Sequence, residues 1–198
     1  MNDVYVVGAG GHAKVIIALI EALGAKVGGV FDGDVARVGS LVLGQRVQWL
    51  GNLKDPPVDV VVAVGSNRAR QKIVGELKHH RFVSLVHPHA WVAPSAKLGP
   101  GAVVFAGAVV QPDVVIGAHA IVNTAVSIDH DCGIADFVHI APGCHLAGNV
   151  EVDEGAFLGV GVAVIPGQKI GAWSTVGAGA VVVTNIAAGV VVKGVPAR

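Results

Sequence analysis

Charge is scarce in this 198-residue chain: Asp, Glu, Lys and Arg make up 14% of it, and 14 basic residues balance 14 acidic ones. Ordinary soluble domains carry about a quarter. With no net charge there is no field to gather nucleic acid, which excludes a general nucleic-acid binder. Aromatic residues are equally thin at 5%, with a single methionine, so a conventional core of large rings and thioethers is not available. Two cysteines, Cys132 and Cys144, are too few for a disulfide framework. Long apolar runs are missing as well, despite a mean hydropathy of +0.65. Gly, Asp, His or Lys interrupts every run short of the roughly 18–20 residues a membrane span needs. The opening Met1-Asn2-Asp3-Val4 has no basic region or cleavage signal, so a cytoplasmic protein is expected.

What is present is glycine, 28 residues of it, within a chain that is 53% hydrophobic. That content excludes disorder and points to a repeat. Stepping by six from Val92 through Leu98, Val104 and Val110 to Val176 and Val182 meets an aliphatic residue every time, without insertion. Four residues after each stands a small or β-branched residue in almost every repeat, from Ala96 and Ala102 to Ala180. Neither the helical period of 3.6 nor the strand period of 2 produces this pattern. A hexapeptide β-helix does. Three hexapeptides close one triangular coil, so residues 18 apart stack at about 4.8 Å, and the repeats fill a little over five coils. Both cysteines fall at the inward small position and read as core residues.

The first half reads differently. Val4-Tyr5-Val6-Val7 is a buried-strand pattern running into Gly8-Ala9-Gly10-Gly11-His12-Ala13, with helical apolar spacing from Lys14 to Leu23. In such a turn glycines admit a phosphate to backbone N–H groups at a helix N-terminus. A second strand, Val27 to Phe31, ends at Asp32, near where an acid meets a ribose or base. A third, Asp59 to Val64, runs into Gly65-Ser66-Asn67, and a helix from about Arg68 to His79 follows. Residues 1–85 are expected to form half of a Rossmann-like nucleotide-sugar-binding domain, too short for a full six-strand dinucleotide fold, and residues 86–198 the β-helix. The size suits a mononucleotide or nucleotide sugar better than NAD.

The ordered set GAGGHAK, VFD, AVGSN, NTAVSIDHDC, HIAPG, AGNV and the terminal GVPAR resembles the bacterial sugar acyltransferases, which include sialic-acid O-acetyltransferases and nucleotide-linked amino-sugar N-acetyltransferases. The resemblance covers nearly the whole chain. It implies a left-handed β-helix and a homotrimer with acetyl-CoA sites between subunits. By that resemblance His130 matches the general base and Asp131 the acid orienting it, with Asp129 a competing orienter. His139 and Gly148 match contacts to acetyl-CoA, Gly148 through its N–H to the thioester carbonyl, and Val160 and Ala178 match backbone contacts to the pantetheine arm. Gly8, Gly10, Gly11, His12, Asp32 and Asn67 match the nucleotide-sugar pocket. The acyltransferase itself needs no metal.

Repeat arithmetic bears on this set independently. His130 and Gly148 are 18 apart and stack one coil from each other; Val160 and Ala178 form a second column. His139 comes nine residues after His130, half a coil away, which fits a site completed by a neighbouring chain. Transfer of an acetyl group to an amine or hydroxyl then needs only a neutral imidazole and an oxyanion donor. His79, His80, His87 and His89 read as exposed or structural, and His119 and His145 as surface residues on coil edges. A γ-carbonic-anhydrase-like metal site at His139 and His145 is a rival reading, although residues six apart sit on adjacent faces and no third histidine completes the set. A non-catalytic nucleotide-sugar-binding protein is the third.

Overall fold

The alternation of hydrophobic strand, glycine turn and amphipathic helix in the first 85 residues builds a parallel sheet. The computed structural model describes residues 3–53 and 56–198, and the chain divides into two units, Met1–Leu85 and Val86–Arg198. In the first unit β1 (Val4–Val7), β2 (Val27–Asp32), β3 (Leu41–Val42), β4 (Gln45–Trp49), β5 (Asp59–Val62) and β6 (Arg81–Phe82) form one sheet in the order β3-β4-β2-β1-β5-β6. All neighbours are parallel except the β3–β4 hairpin. The sheet therefore has six strands after all, but two of them are two residues long, so the first unit remains small.

Two helices flank these strands. Helix α1 (Gly11–Ala22) begins earlier than its apolar spacing announced, and buries Ala13, Ile16, Ile17, Leu19 and Ile20. Ala13, Ile16, Ile17 and Ile20 are the i, i+3, i+4 and i+7 positions of one face, with Leu19 beside them. Helix α2 (Asn67–Glu76) starts at Asn67 and stops before His79.

In the second unit the six-residue period becomes three parallel sheets of seven, six and five strands. Here they are faces 1, 2 and 3. Face 1 contains His139–Ile140 and Phe157–Leu158, face 2 contains Ser127–Ile128, His145–Leu146 and Ala163–Val164, and face 3 contains Gly133–Ile134 and Glu151–Val152. These partners are 18 residues apart, as in Ser127 opposite His145 and Val109 opposite Ser127, whereas at the end of the solenoid Val191 pairs with Thr175, 16 residues before it. Strands at Leu85–Val86 and Val191–Val192 extend the repeat beyond the stretch that Val92 to Val182 marks.

The aliphatic residues from Val104 to Val182 form one continuous buried column together with the small residues, Cys132 and Cys144 included. Each fully buried aliphatic side chain stabilises the coil by about 1.5–3 kcal/mol. Burial raises both thiol pKa values, so neither is a thiolate nucleophile at neutral pH. Ser174, in the same inward row, is buried but donates its hydroxyl to the Gly171 carbonyl at 2.7 Å.

Every sixth residue from Gly101 to Gly179 has a positive φ, which turns each corner of the prism. Most of these are Gly, Asp or Asn, the residues that tolerate the left-handed region. Others carry rings. His119, expected on the surface, is buried, stacks on Phe137 at 5.2 Å, and covers Gly101, whose Cβ would stand 2.3 Å from the imidazole. His80, read as exposed or structural, is also buried, with its Nδ1 accepting the Val58 N–H at 3.4 Å.

Candidate functional site

His130 and Asp131 occupy the corner between faces 2 and 3. His130 Nδ1 lies 2.7 Å from Asp131 Oδ2, while Asp129 Oδ1 accepts the His130 backbone N–H at 2.9 Å. The two acids thus divide the work: Asp131 holds the ring and Asp129 the backbone. Asp131 has φ +60°. The hydrogen bond that His130 donates to the Asp131 carboxylate raises the His130 pKa above its ordinary value, with the charge of Asp129 adding to it. Both side chains of the dyad remain about half exposed, at 55% and 53%, so the imidazole is reachable.

One coil on, Gly148 lies directly against the ring, with an imagined Cβ only 2.7 Å from His130 Cε1 and 2.8 Å from Nε2. No positive φ is required of it; it is glycine for space. Its N–H has no hydrogen-bond partner among the described residues. A base and an uncommitted backbone donor therefore stand together, the pair that acyl transfer uses.

The other solenoid residues are placed elsewhere. His139 is on face 1, where Asn123 Nδ2 approaches its Nε2 at 3.2 Å and Phe157 meets it edge-on at 5.2 Å. Its sheet is not that of the strand leading to His130. Val160 and Ala178 lie one coil apart at the corner between faces 1 and 2, and Gly179 N–H donates to the Val160 carbonyl at 2.8 Å. Face 2 separates that corner from His130 and Gly148. His145 is exposed on face 2 and hydrogen-bonds Ser127 Oγ through Nδ1 at 2.8 Å. Among the described residues no group of three or more His, Cys, Asp or Glu side chains is placed to hold a metal ion, and no helix is long and apolar enough to cross a membrane.

In the first unit a cavity of about 240 Å³ is lined by Gly8, Gly10, Gly11, His12, Asp32 and Arg37, with Ala63 to Gly65 closing it. Gly8 has φ +110°, and a Cβ there would meet the Ala63 carbonyl at 2.8 Å. Gly10 and Gly11 instead face open space, so no packing within the protein demands glycine at either. Asp32 Oδ2 accepts the Ala9 N–H at 2.7 Å and Oδ1 the Asp34 N–H at 2.8 Å, bracing the glycine turn.

Two arginines were not singled out by sequence reasoning. Arg37 Nη1 donates to the Ala9 carbonyl at 3.1 Å, which brings a cation to the cavity wall. Arg70, fully buried, donates to the carbonyls of Val64 and Gly65 at 3.0 and 3.3 Å, and its pKa is pushed down to about 10 by burial. Asn67 does not join the cavity lining; its Oδ1 accepts from Arg70 at 3.0 Å. The spacing of a positive charge three residues into a helix after Gly-Ser-Asn was the available signal for Arg70.

Comparison with known proteins agrees with both halves. Residues 3–77 match the PglD N-terminal domain. Over the whole chain, a variant of perosamine N-acetyltransferase from Caulobacter crescentus in complex with CoA and GDP-perosamine superposes with a TM-score of 0.92 at 40% identity, covering 100% of this chain and 96% of that one. The acetyltransferase domain of PglB from Neisseria gonorrhoeae FA1090 in complex with acetyl coenzyme A does so with a TM-score of 0.92 at 40% identity, covering 100% and 99%. UDP-N-acetylbacillosamine N-acetyltransferase from Bacillus subtilis (strain 168) is 40% identical over 117 residues, 54% of this chain and 52% of that protein. This match thus spans about half the length of that relative. A motif order that runs through both units, together with full-length likeness at this identity, establishes the kinship: the chain belongs to the family of hexapeptide-repeat sugar acyltransferases with a PglD-type N-terminal domain.

Proposed function

We propose that the protein is an acetyl-CoA-dependent N-acetyltransferase acting on a nucleotide-linked amino sugar of the 4-amino type in surface-glycan biosynthesis. It works as a cytoplasmic homotrimer whose sites are completed by neighbouring subunits. The observation that carries the reading is the His130–Asp131 dyad lying against Gly148. Full-length likeness to enzymes solved with CoA and GDP-perosamine supports the substrate class.

In the reaction the neutral amine attacks the thioester carbonyl and His130 Nε2 takes the proton as the tetrahedral intermediate forms. Asp131 fixes the tautomer by accepting from Nδ1 and stabilises the imidazolium. Gly148 N–H receives the oxyanion, a contribution of about 3 kcal/mol for one such donor. Collapse expels the CoA thiolate, which recovers the proton from His130. Transfer is direct, with no acyl-enzyme. His139 and the backbone at Val160 and Ala178 hold acetyl-CoA, while the cavity at Gly8, Gly10, Gly11, His12 and Asp32 holds the nucleotide against the unfilled N-terminus of α1. Asn67 acts there through the loop it shares with Arg70.

The test is incubation with acetyl-CoA and a panel of UDP-, GDP- and dTDP-linked 4-amino sugars, plus free and CMP-linked sialic acids, following thiol release and product mass. Acetylation of an amino sugar is expected. Turnover with a sialic acid alone would make the protein a sialic-acid-type O-acetyltransferase. Nucleotide binding without any turnover would make it a non-catalytic nucleotide-sugar-binding protein.

A further inference from the structure

Beyond β5 the chain leaves its sheet. Ala63 N–H still donates to the Val7 carbonyl at 2.7 Å, whereas Val64, Gly65 and Ser66 cross to α2 outside any strand. Val64 and Gly65 form one wall of the cavity of about 240 Å³. A side chain from the first turn of α2 takes hold of this loop.

That side chain is Arg70. Its Nη1 donates to the carbonyls of Val64 and Gly65 at 3.0 and 3.3 Å, and Nη2 donates to Asn67 Oδ1 at 3.0 Å. Its backbone N–H donates to the Ser66 carbonyl at 2.8 Å. Four consecutive residues are thus tied to one arginine. A planar guanidinium presents its donors in a fixed fork, which the single ammonium of a lysine does not. Arg70 is only 1% exposed. Burying such a group is costly, and burial lowers its pKa to about 10, so a cation persists behind the cavity wall at neutral pH.

Peptide geometry gives the loop a direction. In a trans peptide the C=O and the N–H that follows it point opposite ways, and the peptides of this loop are trans. Arg70 is not among the residues lining the cavity, so it draws the Val64 and Gly65 carbonyls to the rear of the loop. The N–H groups of Gly65 and Ser66 are thereby turned to the front. The Ser66 N–H has no hydrogen-bond partner among the described residues. Carbonyl oxygens that would repel a phosphate are withdrawn, and successive backbone donors of the kind that bind anions take their place.

We propose that Arg70 is a positioning residue for the diphosphate of the nucleotide sugar: it sets the backbone of Val64, Gly65 and Ser66 so that N–H groups, and not carbonyl oxygens, meet the phosphates. Arg70 itself does not touch the ligand. It has this part only if the cavity holds a nucleotide, as proposed above.

The test compares wild type with Arg70→Met, Arg70→Lys and Ser66→Pro by calorimetry with UDP, GDP and dTDP, by steady-state kinetics and by thermal melts. Ser66 has a φ of −69° and makes no side-chain cap hydrogen bond. A proline ring fits that angle, so Ser66→Pro deletes one N–H and spares the fold. Its melting temperature should match wild type, while the nucleoside diphosphate should bind about tenfold more weakly, the loss of one hydrogen bond to a charged group. Arg70→Met should weaken that binding at least tenfold and raise KM for the nucleotide amino sugar in proportion. Turnover at saturation and KM for acetyl-CoA should stay as in wild type, and Arg70→Lys should regain part of the affinity. A folded Ser66→Pro protein that binds diphosphate like wild type overturns the proposal. So do Arg70 variants that lose melting temperature or turnover but keep their diphosphate affinity, because Arg70 would then only support the fold. Should the Arg70 variants not fold, Ser66→Pro decides alone. Failure of wild type itself to bind any of the three diphosphates is a separate result that sinks the nucleotide-sugar reading beneath the proposal.

Discussion

The imidazole of His130 lies against Gly148, one coil further along the solenoid, so closely that any side chain there would collide with it at 2.7 Å. The imidazole and the Gly148 backbone N–H are held at the spacing of neighbouring strands. Their geometry is fixed by the register of face 2 and not by a loop, and that suits a reaction in which misplacement by an ångström is costly.

Replacing His130 by Ala removes the base without touching the core. Turnover should fall by about 10²–10⁴-fold, the usual contribution of a general base, with KM for acetyl-CoA little changed. Steady-state kinetics checks this, and unaltered kcat would exclude His130 from proton transfer.

The pH profile carries the signature of the dyad. His130 acts only when neutral, and Asp131 raises its pKa. Activity should therefore climb with pH through an apparent pKa above about 6.5, the ordinary histidine value. Asp131→Asn keeps a residue suited to the left-handed backbone but removes the charge that favours imidazolium. The acid limb should then move to lower pH, while the plateau falls because the tautomer is no longer fixed. A limb that stays in place would mean that Asp131 does not set the titration.

Gly148→Ala separates catalysis from folding. The added methyl meets an imidazole that is half exposed and can swing aside, not backbone. The melting temperature should shift by only a few degrees, and kcat should drop at least tenfold. Circular dichroism melts beside kinetics would test both halves.

Gly8 and Gly10 should respond oppositely to the same change. At Gly8, Ala meets the Ala63 carbonyl at 2.8 Å with φ +110°, so Gly8→Ala destabilises the first unit. At Gly10 the space is open. Gly10→Ala should fold normally yet bind nucleotide at least tenfold more weakly by calorimetry, because its methyl fills the space a phosphate would take.

Ile140→Ala probes the core column, in which Ile140 is fully buried. A loss of about 2–5 kcal/mol is expected in denaturant melts.

The solenoid was legible because its period is enforced at every coil: an aliphatic residue at each sixth position has no alternative reading. The stacking of His130 on Gly148 followed from the same count. The β3–β4 hairpin was not legible. Its turn at Leu43-Gly44 has φ of +45° and +78°, and leucine announces no such turn. The burial of His119 escaped because a corner position is usually exposed, and only the glycine one coil before it makes room for the ring. Arg37 shows a further limit. Arg37 reaches the glycine turn from 28 residues away, a contact that leaves no trace in local spacing, whereas Asn67 turns to Arg70, three residues on in the same helix, a pairing that helical spacing permits.

The 18-residue register also constrains how the molecule can change over time. Deleting or duplicating six or twelve residues within the solenoid would keep the aliphatic residues inward but move every later side chain onto a different face, and a number that is not a multiple of six would break the core column as well. A whole coil can be gained or lost with each face preserved. The second unit is thus a ruler graduated in steps of about 4.8 Å, and inheritance can lengthen it away from the His130 corner without redesigning the corner itself.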